Sequence, residues 1–237
     1  MKRTHKLMIA AAAMLIAPSL GAAQGADMES SRTIAGGGIS IKGWEGKIDA
    51  KEVTAGMKLE NAKLAMSGKD MIVTTGPAVT YWSPKNTAKG NYTVKATFKE
   101  PSYMNVNTHP HPYGIVIAGN DMGTDTQSFL YCAAYGNGTF IVRGFGPASF
   151  QMNGGRGGAD AAVNKAAGKG SPVEQEIAMI VSSDKVECQI NGKIVASYDK
   201  TALVTEGKLK STDGVYGFRF AHNTDGVVSN LTMTKNK

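Results

Sequence analysis

From Ile39 onward, apolar and polar residues alternate along the chain with a period of two. The cleanest stretch interleaves Tyr92, Val94, Ala96 and Phe98 with Thr93, Lys95, Thr97 and Lys99. Successive side chains of a strand point to opposite faces, so this segment reads as a strand with one dry face and one wet. The same rhythm predicts strands over 71–75, 78–82, 113–118, 128–135, 139–144, 176–181, 185–190, 193–198, 215–222 and 227–233. Asn137-Gly138 and Asn191-Gly192 each separate two of them. Such pairs call for type I′ hairpin turns, because both central residues need positive φ. Ser183-Asp184 is a third turn, and 199–204 suits a short helical turn. No long amphipathic helix competes and no internal repeat is visible, which favours a sandwich or barrel over a propeller.

Two stretches break the rhythm. Residues 24–42 are small, polar and glycine-rich, with Gly36-Gly37-Gly38 among them, and read as a flexible N-terminal segment. Residues 153–172 are rich in Gly and Ala without a period, which suits a mobile surface loop or a lid over a site. Ahead of both, Lys2, Arg3 and Lys6 precede an apolar run from Leu7 to Leu20 and small residues at Gly21-Ala22-Ala23. This is the order of a secretory signal peptide over 1–23, too short for a comfortable membrane span. The mature chain is then one β-sandwich domain over 43–237, periplasmic or extracellular, with no membrane span of its own.

Charge narrows the partners. The leader carries three of the 26 cations, leaving 23 against 19 acids, a balance of +4. No basic run accompanies it, so nothing points to nucleic acid. Cys132 and Cys188 each fall on the apolar side of an alternating run. That favours two small buried hydrophobes, although export permits a bridge. Whether they pair is left open, because sequence alone cannot bring them together.

A set of short stretches carries a resemblance. Gly43-Trp44, 73–78 leading into Tyr81-Trp82, and 90–94 come first. His109-Pro110-His111-Pro112-Tyr113-Gly114, 128–131, 162–165, 186–192 and 212–223 follow. Together they resemble the secreted bacterial concanavalin A-like (laminin-G-like) jelly-roll proteins, related to the 3-keto-disaccharide hydrolase domain family and often labelled laminarinase-like. The resemblance implies two stacked, curved antiparallel sheets. It places a ligand on the concave sheet or the loops at its rim.

The chemistry expected of such relatives is only partly present. A laminarinase-type strand carries Glu-x-Asp-x-Glu, with carboxylates on one face flanking the sugar bond. Here only Glu174-Gln175-Glu176 sets two carboxylates on one side, which reads as a solvated strand end. In the 3-keto-disaccharide hydrolase relatives a Gln and a His lie near the last strands. His222 falls close to that histidine, and Arg219 stands where Gln is expected. His222 is therefore the one catalytic candidate.

For sugar binding, flat aromatic rings and planar polar groups are needed. Trp82, Tyr113, Tyr131, Arg143, Arg219, His222 and Asn223 are the candidates, with Tyr81 and Tyr135 behind them. No cofactor is expected. Calcium is a possibility at Asp121 and Asp125, in a Gly-Asn-Asp-x-Gly-x-Asp loop. His109 and His111, at i and i+2 between prolines, could offer imidazoles to a transition metal but lack a third ligand nearby in sequence. The reading placed first is an exported carbohydrate-binding module without catalysis. A hydrolase of glycosides or 3-keto-disaccharides and an envelope interaction protein are the alternatives.

Overall fold

A computed structural model of the chain describes residues 29–154 and 157–237. The expected signal peptide lies outside the described residues. Strands, numbered along the chain, form two sheets. The first runs β1 (Gly38–Ile39), β3 (Ala62–Ser67), β4 (Asp70–Thr75), β16 (Asp225–Lys235), β6 (Tyr92–Glu100), β12 (Val173–Val181), β13 (Lys185–Ile190) and β14 (Lys193–Asp199). The second runs β10 (Ser149–Gln151), β9 (Thr139–Phe145), β8 (Ser128–Ala134), β7 (Tyr113–Asn120), β15 (Gly214–Phe220), β5 (Val79–Ala88) and β2 (Glu45–Ile48). A short β11 (Gly158–Ala159) pairs with β9. Apart from β1 on β3, the pairings are antiparallel. This is a sandwich, one of the two forms the alternation allowed, and it has the jelly-roll architecture that the resemblance implied. Two short helices, α1 (Ala50–Thr54) and α2 (Lys200–Leu203), lie in connections.

The core is where the alternation put it. Tyr92, Val94, Ala96 and Phe98 of β6 face Tyr113, Ile115, Leu130, Phe218 and Phe220 of the second sheet, all buried. Phe98 sits 6.0 Å from both Tyr113 and Phe220, centroid to centroid. Each large side chain buried this way contributes about 1.5–3 kcal/mol, so the facing rows hold the sheets together. Cys132 of β8 and Cys188 of β13 also lie on these inner faces, and they are bonded, with Cα atoms 6.0 Å apart. The expectation of two separate buried thiols is corrected. The alternation that buries each cysteine points it at the opposite sheet, where the other one waits.

Turn chemistry holds at one asparagine-glycine pair and changes at the other. Asn191 and Gly192 both have positive φ, 48° and 82°, as a type I′ turn requires. At Asn137-Gly138 only the glycine does, with φ 90°. There Tyr135 N–H donates to the Thr139 carbonyl at 2.8 Å, closing a three-residue loop, and the Asn137 side chain accepts from Thr139 N–H.

The described parts of both aperiodic stretches are tied down. Asn164 and Gln175 exchange hydrogen bonds at 2.9 and 2.8 Å, and Asn191 donates to Gln175 and to the Ala162 carbonyl. Ala166 N–H reaches the Gly136 carbonyl at 2.8 Å. At the N-terminus, Arg32 donates through its backbone to Asn223 and through its side chain to Thr75 O and Asp225. A Cβ on Gly76 would lie 1.8 Å from the Arg32 carbonyl oxygen, so this close approach requires glycine.

Candidate functional site

Because strands alternate, the residues that leave the core of the second sheet share its outer face. Strand register sorts them into rows. One row reads Trp82, Gly217, Val116, Tyr131, Arg143. The next reads Thr80, Arg219, Gly114, Ala133, Ile141. Phe129 lies opposite Phe145 beyond them. Val116, Phe129, Tyr131, Ala133 and Ile141 pack as a second buried cluster separate from the core, flanked by half-buried Met122, Tyr135 and Phe145.

Arg219 is set into this cluster. Its guanidinium lies 5.4 Å from the Tyr131 ring centroid and 5.1 Å from that of Phe145. Asp49, between β2 and α1, accepts from its two terminal nitrogens at 2.8 and 2.5 Å, and Thr80 Oγ1 accepts at 3.0 Å. Burial by itself disfavours the charged form, and the Asp49 carboxylate outweighs that, driving the guanidinium above its ordinary value. Two parallel N–H···O bonds fix the plane of the fork, so the arginine is locked against the aromatic rings. Arg143, half-buried, lies 5.9 Å from the Phe145 ring centroid and donates to Ser149 Oγ at 3.2 Å. Phe145 therefore has a guanidinium within cation–π range from each of two strands.

The structure divides the sequence candidates. Tyr131, Arg143 and Arg219 meet around Phe145 on the outer face, and Trp82 shares that face three strands from Tyr131. Trp82 and Tyr131 are only 3% and 4% exposed, so they form its floor. Tyr113, expected on the ligand face, is corrected: its ring is fully buried in the core between Phe98 and Phe220, because it has the parity of Ile115. Asn223 is buried and structural. At φ 52° it donates through its side chain to the Ser30 carbonyl and accepts from Arg32 N–H and, at its backbone oxygen, from Asn107. His222 is not on the sheet face. It lies past the end of β15, with the His111 ring stacked at 4.2 Å.

His109 joins the same end, with its Nε2 atom 2.9 Å from Nε2 of His111. Burial first, then the neighbouring imidazoles and, for His222, Lys51, pushes the imidazoles of His111 and His222 down to about 4, so both are neutral near pH 7. Asp121 and Asp125 face ammonium groups, Asp121 that of Lys210 and Asp125 that of Lys47 at 3.5 Å. Glu176 pairs with Lys95 on the outer face of the first sheet. Sequence reasoning missed Phe145 and Asp49. Phe145 follows Arg143 by two and so shares its face, a signal that was available. Asp49 lies between strand and helix, where alternation says nothing.

No family model matches the chain, and no curated protein matches it in sequence. Solved structures do resemble it. A Bacillus subtilis protein of unknown function with a galectin-like fold aligns at TM-score 0.57 and 14% identity, over 81% of this chain and 89% of that one. The carbohydrate-binding module CBM66 of Bacillus subtilis aligns at 0.51 and 9%, over 84% and 99%. An endo-β-1,3-glucanase of Pyrococcus furiosus aligns at 0.50 and 10%, over 81% and 88%. At such identities the likeness establishes the jelly-roll sandwich fold alone. Among the described residues no helix is long and apolar enough to cross a membrane.

Proposed function

We propose that the protein is an exported, non-catalytic module that binds a glycan on the outer face of its second sheet. One observation carries this reading: a sheet face outside the core holds an aromatic cluster with two arginines stacked on it. A pyranose offers an apolar face and a ring of hydroxyls. Phe145 and Tyr135 suit the first, and the planar donor fork of Arg143 suits the second. Buried Arg219 and Tyr131 hold that surface rigid. Structural neighbours whose names record a carbohydrate-binding module and a glucanase share the sandwich. The Cys132–Cys188 bridge fits the oxidising compartment that a signal peptide implies.

Two features weigh against hydrolysis of glycosides or 3-keto-disaccharides. Asp49, on the aromatic face, is committed to Arg219 through both oxygens. Among the described residues, no carboxylate hydrogen-bonds His222 directly; Ser31 intervenes before Glu52.

A glycan array probed with tag-free protein tests the reading. At least one oligosaccharide is expected to bind, with affinity falling about tenfold or more in Arg143→Ala and in Phe145→Ala, and with no sugar released. Product release that disappears in His222→Ala replaces the module by a hydrolase. Absence of glycan binding, with mass that rises with concentration, replaces it by an interaction surface.

A further inference from the structure

We propose that His109, His111 and His222 form a three-imidazole site for a zinc-class divalent cation at the end of the sandwich, apart from the aromatic face. One ring nitrogen from each of the three residues lies within 4.8 Å of the others. Zinc with Zn–N bonds of about 2.0–2.1 Å holds tetrahedral nitrogens about 3.3–3.4 Å apart, so small side-chain shifts close the set. Three imidazoles leave one position for water or a ligand, the pattern of open rather than closed zinc sites.

The backbone builds this cluster. Pro110 and Pro112 keep the segment before β7 extended. Ala221 N–H donates to the Pro112 carbonyl at 2.9 Å, continuing the β7–β15 pairing and setting His222 beside His111. Asn107 ties the preceding loop to the Asn223 carbonyl at 3.0 Å.

Hydrogen bonding then selects the nitrogen each ring offers. Nδ1 of His111 lies 2.6 Å from the His222 carbonyl oxygen, which can only accept, so the proton sits on Nδ1 and Nε2 carries a lone pair. Nδ1 of His222 lies 3.4 Å from Ser31 Oγ, whose own proton goes to Glu52 at 2.7 Å, so Ser31 accepts there. Nδ1 of His109 lies 3.4 Å from the Thr108 hydroxyl, which can accept its proton, with the Glu29 carboxylate beyond at 3.7 Å. Each of the three Nδ1 atoms thus has beside it an oxygen able to accept its proton, the arrangement that orients metal-ligating histidines. The consequence is visible between His109 and His111: two Nε2 atoms point at each other across 2.9 Å, and a shared proton or a cation must lie there. The surrounding charge is mixed, with Lys51 opposing a cation and Asp49 and Glu29 favouring one.

Titration of chelator-stripped, tag-free protein with zinc chloride, followed by calorimetry, tests the site, with calcium chloride as the control. The expected result is one zinc per chain, no calcium at the same position, and a visible cobalt(II) absorption band typical of four-coordination. His109 is exposed, so His109→Ala should fold normally by circular dichroism and lose the zinc and the cobalt band. Glu29→Gln should weaken zinc about tenfold, by removing both a favourable charge and a contact that orients His109. Should His109→Ala misfold, His109→Gln with the cobalt spectrum as readout decides the same point. Failure to bind one zinc per chain, or binding unchanged in the His109 variants, overturns the site and leaves a simple His109–His111 hydrogen bond.

Discussion

Both sheets turn alternate strand residues away from the core, yet their outer faces are different materials. On the first sheet, β6 turns outward Thr93, Lys95, Thr97 and Lys99, while β12 and β13 add Glu174, Glu176 and Glu187. Lys95 and Glu176 pair at 3.2 Å with side chains still 49% and 43% exposed. On the second sheet the corresponding positions are Trp82, Tyr131, Ile141 and Arg219, none more than 8% exposed. Alternation therefore states which residues leave the core and is silent on whether they go to water. A wet face tolerates charge cheaply, because solvent screens it. Where the aromatic face buries a charge fully, at Arg219, it does so as a locked pair with Asp49, since a buried ion needs its partner. That cost is a reason to look for a ligand there.

The Asp49–Arg219 pair is where the contrast is largest. Removing Asp49 leaves a guanidinium buried between Tyr131 and Phe145 with Thr80 as its remaining side-chain acceptor. Asp49→Ala is expected to lower stability by about 3–5 kcal/mol in denaturant titrations. Replacing both members, Asp49→Ala with Arg219→Met, should restore most of it, because no unpaired charge is left inside. A loss below about 1 kcal/mol in the single variant would mean that the face is wet like its counterpart.

That difference also marks how far the sequence could be read. The core faces of β6 and β15 were legible because Tyr92, Phe98, Phe218 and Phe220 alternate with polar residues, and all four are buried. The parity that frees Arg143 and Arg219 from the core was legible for the same reason. Tyr113 was misplaced because β7 is apolar on both sides and its alternation has no polar partner set. The grouping of His222 with His109 and His111 was not legible, since it depends on β15 lying beside β7 across more than a hundred residues of chain. The disulfide was hidden by the same lack: two inward cysteines say nothing of which inner face meets which.

Glu100, at the end of β6, is a buried carboxyl group that no cation pairs with among the described residues. One oxygen accepts from Met104 N–H at 3.1 Å and the other is buried without a partner. Burial pushes its carboxyl up to about 7, with the Met104 hydrogen bond opposing and Asp225 assisting; Tyr103 and Tyr113 are the other titratable groups that sense it. Between the unfolded value near 4.5 and the folded one, the native state holds the proton and the unfolded chain has lost it. Stability from this group is therefore fully present below pH 4.5 and is lost as pH rises through 7. Glu100→Gln, neutral in both states, should match the parent protein at pH 4.5 and exceed it by about 1–3 kcal/mol at pH 8. Parallel pH–stability curves would show that solvent reaches Glu100, and charge on the inner side of the first sheet would then be no dearer than on its wet outer face.

The smallest effect belongs to that first sheet. Lys95→Ala breaks the exposed pair with Glu176 and leaves each remaining group in water. Its expected cost is within about 0.5 kcal/mol, falling further when salt is raised and the pair is already screened. Glycan binding by Lys95→Ala should equal that of the parent protein, whereas Arg143→Ala, an equally modest change in charge on the opposite face, should not. Equal losses in the two variants would mean that net charge, rather than the aromatic surface around Phe145, governs binding. An unchanged Lys95 variant together with a weakened Arg143 variant would assign recognition to the aromatic face.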